Sequence, residues 1–175
     1  MRPLYPISLV SALIFPILAV LPTVSCAQAG APVNRVIEQL RQDRPVIGTF
    51  TRNPRVDLDF VIIDEQYGEF DIDAVRAALT NMYTGNCAAA APIVRIPLNL
   101  RDAPQAVVKQ LLDAGVFGIM FPDIETRAQA ISAVSSMRVG RAAGADVWPL
   151  DPAGTLVAIL QIETLAGIEH LEEIL

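Results

Sequence analysis

Five short runs of almost purely apolar residues constrain this chain more than any other feature. They occupy positions 46–50, 60–63, 92–96, 116–121 and 156–162. A strand exposed on one face alternates apolar and polar residues, whereas a strand covered on both faces reads as a continuous apolar run. Helix-patterned segments lie between most of the runs. One starts at Asp71 and carries Ile72, Val75, Leu79 and Met82 on one side. Another starts at Asp102, with Pro104 close behind, and carries Val107, Val108, Leu111 and Leu112. Gly115 is placed to end it as a left-handed cap. A third covers 125–137 with Ile131 and Val134, and Leu165, Ile168, Leu171 and Ile174 mark a last one. A short amphipathic helix over 32–42, with Val33, Val36, Ile37 and Leu40, precedes the first run.

Alternating buried strands and helices specify a parallel sheet with right-handed crossovers, either doubly wound or a (β/α)8 barrel. No G-x-G-x-x-G follows the first strand, so dinucleotide binding has no support. Gly118 reads as a packing position. Two features sit uneasily with a regular barrel. Only residues 51–59 separate the first two runs, while a parallel crossover usually takes about 10–12 residues with a helix. Either a helix is missing there, or those strands are not simple parallel neighbours. Five strands also fall short of the eight that close a barrel.

The 175 residues carry a net charge of −6 with no basic cluster, which excludes an electrostatic footprint for nucleic acid. The N-terminus has the layout of an export signal. Arg2 is followed by an apolar run over 7–24 and by Ala27-Gln28-Ala29, a small-residue cleavage site. The expected organisation is a signal peptide over 1–29, a lead-in helix over 30–45 and a single α/β domain over 46–175. The expected location is the periplasm or the exterior. The alternatives are a retained membrane anchor through 7–24, or lipid attachment at Cys26 in a weak lipobox. Cleavage after Ala29 leaves Cys87 as the only thiol. A single histidine, His170, excludes a multi-histidine metal site, so a metal would be held by carboxylates, as Mg²⁺ or Mn²⁺ are.

Polar residues interrupt the runs at their C-terminal ends, the edge where parallel α/β folds bind ligands. Asp64-Glu65-Gln66-Tyr67 follows the second run and Arg95 lies in the third. Pro122-Asp123 ends the fourth, and Gln161 and Glu163 end the fifth. A lone charge in an apolar run calls for a partner, so Arg95 and Glu163 are either a structural ion pair or part of a ligand site.

These residues resemble the HpcH/HpaI aldolase/citrate lyase family. The stretch from Phe60 to Asp71 is similar to that family's DFV-x-ID-x-EHGPFD segment. Pro92-Ile93-Val94-Arg95-Ile96-Pro97 is similar to its P-x-VRxP strand. Lys109 to Gly115, followed by Ile119 to Pro122, resembles its KQLLDxGA run, and Gln161-Ile162-Glu163-Thr164 its QIET strand. The resemblance implies a TIM-barrel-type parallel (β/α)8 fold, here incomplete at about five of eight strands. It implies a carbon–carbon lyase acting on a small 2-oxo acid through a metal-stabilised pyruvate enolate, with Mg²⁺ or Mn²⁺ as cofactor, and homo-oligomers as partners.

Carried over residue by residue, Glu163 matches the first metal carboxylate and Gln161 the substrate-site glutamine. Arg95 matches the arginine that binds the carboxylate and carbonyl oxygens. Asp113 matches the aspartate that orients the base, and Asp64 the aspartate ending the second strand. The sequence departs from the family at the EH pair, where it has Gln66 and Tyr67. Tyr67 therefore stands at the base position, and an unperturbed tyrosine ionises only near pH ~10. His170, in the helix after the metal strand, reads as a surface residue. The family's second metal aspartate belongs to a GPxDL segment that this sequence does not contain. The alternative expectation is a non-catalytic, truncated or degenerate member that keeps part of the fold and weak keto-acid binding.

Overall fold

The sheet order shows why the strands are apolar on both faces. The computed structural model describes residues 34–51, 58–84, 87–88, 90–138 and 147–175. In chain order these form α1 (Arg35–Leu40), β1 (Gly48–Phe50), β2 (Phe60–Asp64), α2 (Ile72–Met82), β3 (Tyr83–Thr84), β4 (Cys87–Ala88) and β5 (Ala91–Arg95). There follow α3 (Gln105–Ala114), β6 (Gly118–Phe121), α4 (Arg127–Ser136), β7 (Val147–Trp148), β8 (Leu156–Leu160), α5 (Leu165–Glu169) and α6 (Leu171–Ile174). Six strands form one sheet in the order β1-β2-β5-β6-β8-β7, and every adjacent pair is parallel. β3 and β4 form a separate antiparallel pair.

Side chains alternate across each strand, so each face takes every second residue. One face presents Val61, Ile63, Val94, Ile96, Ile119, Phe121 and Leu156 to the helices. There they meet Val75 and Leu79 of α2, Val108 and Leu111 of α3, and Ala130 and Ala133 of α4. The other face carries Ile62, Ile93 and Met120, with Phe60, Val157 and Ile159 packed beside them. Val36 of α1 packs against this second cluster. The Asn34 side chain fixes α1 in place: its Oδ1 accepts from Val36 N at 3.2 Å, and its Nδ2 donates to the carbonyls of Phe117 and Thr155, both at 3.0 Å. In a closed barrel this second face would be the interior. Here the sheet is open, ending at β1 and β7.

The five apolar runs all form strands of the one sheet. β1 and β2 are parallel neighbours in the register Gly48↔Phe60, so the suspicion that they are not is corrected. Nine extended residues reach about 30 Å, while a three-residue strand rises only about 10 Å, so the length of 51–59 permits a parallel return; residues 52–57 lie outside the described residues. A sixth strand, β7, joins the five expected. The last helix is broken in two at His170. Gly115 has φ 101° and caps α3, with its N–H donating to Leu111 and Leu112 carbonyls. Gly118 is indeed a packing position, since a Cβ there would sit 2.8 Å from the Val157 carbonyl oxygen. Residues 1–33, and with them the signal, anchor and lipobox readings, lie outside the described residues. Among the described residues no helix is long and apolar enough to cross a membrane.

Candidate active site at the C-terminal sheet edge

Strand parity decides which polar residues meet. Asp64 follows Phe60 and Ile62 on the second face, and Arg95 follows Ala91 and Ile93 there. Gln161 and Glu163 continue the Val157 and Ile159 side just past the end of β8. Asp64 and Arg95 are direct partners in the β2–β5 register. All four therefore share one face at one edge of the sheet.

Arg95 is the centre. Its Nε donates to Asp64 Oδ1 at 2.9 Å and its Nη2 to Asp64 Oδ2 at 2.5 Å, a bidentate pair. The remaining Nη1 makes only a long contact, 3.5 Å, to Gln161 Oε1. The guanidinium lies 4.8 Å from the centroid of the Phe50 ring at the end of β1. The hydrogen bonds that Arg95 donates to Asp64 raise the arginine pKa, burial opposes the rise, and the charges of Asp64, Glu163 and Tyr67 add to it. Arg95 is a cation at every workable pH. Its ion-pair partner is Asp64; Glu163 acts on it only at longer range.

Glu163 is exposed, and its Oε1 accepts from the Asp123 N–H at 3.3 Å. No bond to Oε2 is made among the described residues. The donors at this edge are oxygens, which suits hard cations such as Mg²⁺ and Mn²⁺. Among the described residues no three His, Cys, Asp or Glu side chains gather as a ready cation cage. Glu163 fits as one protein ligand of an ion that draws its others from water and substrate.

The remaining candidates divide. Tyr67 lies in the loop after β2, 80 % exposed, close enough for its charge to be felt at Arg95. Its neighbour Gln66 is buried, and its Oε1 has no hydrogen-bond partner among the described residues. Asp113 is elsewhere. It lies in the last turn of α3, just before β6 begins, which is the opposite edge of the sheet, and it pairs with Lys109 Nζ at 2.6 Å. Among the described residues of this chain it makes no bond at the Arg95 edge. The helical crossover imposes this, since a residue at the end of a crossover helix lies beside the start of the next strand. His170 is exposed, with its Nδ1 3.1 Å from the Glu125 carbonyl.

Sequence reasoning marked Asp123 at this edge but missed Phe50 and Arg101. Asp123 adopts φ 47°, in the left-handed region. Arg101 Nη1 donates to its carbonyl at 2.6 Å. Arg101 also pairs with Asp102 at 3.1 Å and Glu125 at 3.7 Å. The bonds from Arg101 first, and from Gln129 second, hold the Asp102 carboxyl below the usual carboxylate range. No periodic signal marks Arg101, because its main partner is a backbone carbonyl 22 positions away.

The parallel α/β sheet carries an arginine–carboxylate–glutamine cluster at its C-terminal edge, the edge where barrels of parallel strands bind ligands. Residues 50–175 match the family HpcH/HpaI aldolase/citrate lyase, and the chain belongs to that family. The hydroxypyruvate/pyruvate aldolase of Rhizorhabdus wittichii is 28% identical over 164 residues, covering 82% of this chain and 62% of that protein. The enzyme of the same name from Paraburkholderia phytofirmans is 32% identical over 127 residues, covering 64% of this chain and 45% of its own length. A crystal structure of an HpcH/HpaI aldolase/citrate lyase family protein from Burkholderia cenocepacia superposes with a TM-score of 0.61 at 22% identity. It covers 81% of this chain and 64% of the other. The chain thus spans between 45% and 64% of the length of these relatives.

Proposed function

We propose that this chain is a carbon–carbon lyase that handles a small 2-oxo acid of the pyruvate type at the Arg95 edge. Family membership supports aldolase chemistry at the level of the class. The observation that carries the substrate is the state of Arg95. Asp64 engages two of its three nitrogens and so fixes the plane of the guanidinium, while Nη1 faces Gln161 with only a long contact. That leaves one charged donor and one amide side by side for the oxygens of a carboxylate or carbonyl. As the bond between the α and β carbons of the 2-oxo acid breaks, its electron pair passes into the enolate and negative charge gathers on the carbonyl oxygen. A preoriented guanidinium stabilises that charge more than it stabilises the ground state. Phe50 covers the guanidinium and reduces its solvation. Glu163 is the protein ligand proposed for Mg²⁺ or Mn²⁺. When bound, the ion supplies Lewis-acid polarisation of the carbonyl. Tyr67 occupies the position from which a proton would be moved.

Exchange of pyruvate methyl protons with deuterium, followed by NMR, tests this reading. We expect exchange with Mn²⁺ or Mg²⁺, its loss on chelation, and a fall of about 10²–10³-fold in Arg95→Lys, which loses the bidentate fork. No exchange with either metal would sink the lyase reading. A second reading, a keto-acid binder without turnover, is favoured by the 80 % exposure of Tyr67. Binding of pyruvate without exchange would select it.

A further inference from the structure

We infer that Arg101 is a positioning residue for Glu163, acting through the backbone of Asp123. The inference rests on the reading of Glu163 as a metal ligand given above. Arg101 lies in the turn between β5 and α3, with its side chain only 16% exposed. Among the described residues it makes no bond to Arg95, Gln161 or Glu163. Instead it grips the loop after β6: Nη1 donates to the Asp123 carbonyl at 2.6 Å and lies 3.7 Å from the Glu125 carboxylate. The other side of Asp123 faces the site, where its N–H donates to Glu163 Oε1 at 3.3 Å.

Asp123 is held at φ 47°, a conformation a non-glycine residue keeps only when its surroundings impose it. Two bonds impose it here. The Ile124 N–H donates to the Gln161 carbonyl at 2.9 Å, and Arg101 holds the carbonyl of Asp123 itself. The guanidinium is in turn fixed by Asp102, which also accepts from Gln129 Nε2 at 2.9 Å. Gln129 belongs to the capping box that starts α4 with Thr126. One arginine thus ties the β5–α3 turn to the start of α4, and the peptide between them presents its N–H to Glu163. Outer groups of this kind orient the carboxylates that bind metals.

The test uses the full chain and needs no metal in its first arm. The Asp123 amide resonance is compared with and without Glu163→Gln, in the wild-type and Arg101→Gln backgrounds. We expect Glu163→Gln to shift the Asp123 amide in the wild type and to leave it unmoved in Arg101→Gln. An equal shift in both backgrounds overturns the inference. Arg101→Lys, which keeps the charge, serves if Arg101→Gln does not fold, and should show a reduced shift. The second arm is Mn²⁺ titration by electron paramagnetic resonance. Affinity should fall about 10–100-fold in Arg101→Gln and stay unchanged in Lys109→Gln, whose pair lies at the opposite edge. If the wild type binds no Mn²⁺ yet the amide coupling depends on Arg101, the metal reading fails and the positioning role stands.

Discussion

Asp64, the last residue of β2, and Gln66 lie two residues apart, and their polar side-chain atoms have opposite fates. Asp64 accepts two charge-assisted bonds from an arginine whose side chain is 13% exposed. Gln66 Oε1 is buried with no partner among the described residues. Deleting one member of a paired, largely buried charge leaves the other uncompensated, whereas deleting an unpaired acceptor removes a cost already present. Asp64→Ala should therefore destabilise the chain by about 2–3 kcal/mol, less than for a fully buried pair because Asp64 is 35% exposed. Gln66→Leu should be neutral or stabilising. The urea midpoint at unchanged m-value measures both. A loss of stability in Gln66→Leu matching that in Asp64→Ala would show that the Gln66 amide is bonded in solution.

At the scale of elements, the glycine that caps α3 and the glycine that opens β6 serve different ends. Gly115 has φ 101°, so any Cβ strains the backbone, by about 1–2 kcal/mol. Gly118 has no such conformation, but a Cβ there would meet the Val157 carbonyl at 2.8 Å and Ile93 Cγ1 at 3.2 Å. Overpacking of this kind costs about 1–3 kcal/mol and has to be relieved by moving β8 away from β6. Both Ala variants should lower stability, but only Gly118→Ala should also weaken the site, because Gln161 and Glu163 are carried by β8. Thermal melts with and without Mn²⁺ and pyruvate separate the two. The ligands should raise the Tm of Gly115→Ala as much as they raise that of the wild type, and raise that of Gly118→Ala less.

For the whole molecule, the open sheet leaves β1 as an edge, with Ile47 62% and Phe50 50% exposed. Leu165 and Ile168 on α5 are 72% and 59% exposed, while Ile174 of the same stripe packs on the core. Unpaired edges and apolar patches of this kind favour association. We expect the sedimentation coefficient to rise with protein concentration and Ile168→Asp to reduce that rise. A chain monomeric at all concentrations would refute the expectation.

What the sequence determined by itself is what local pattern can encode. Continuous apolar runs placed five strands, because a strand buried on both faces has no polar alternation to show. Period-two parity also puts Asp64 on the same side as Phe60 and Ile62, and Arg95 on the same side as Ile93. Only the tertiary structure decided which of those residues are partners. Arg95 takes Asp64 rather than Glu163 because β2 and β5 are adjacent, while β6 lies between β5 and β8. Two-residue β7 is too short to carry a pattern of its own, and residues 51–59 proved long enough for a parallel return. Asp113 carries a family motif yet ends at the far edge, since crossover direction is a property of the assembled sheet. Arg101 owes its place to a backbone carbonyl, which looks the same at every position of a sequence until the fold brings one of them near.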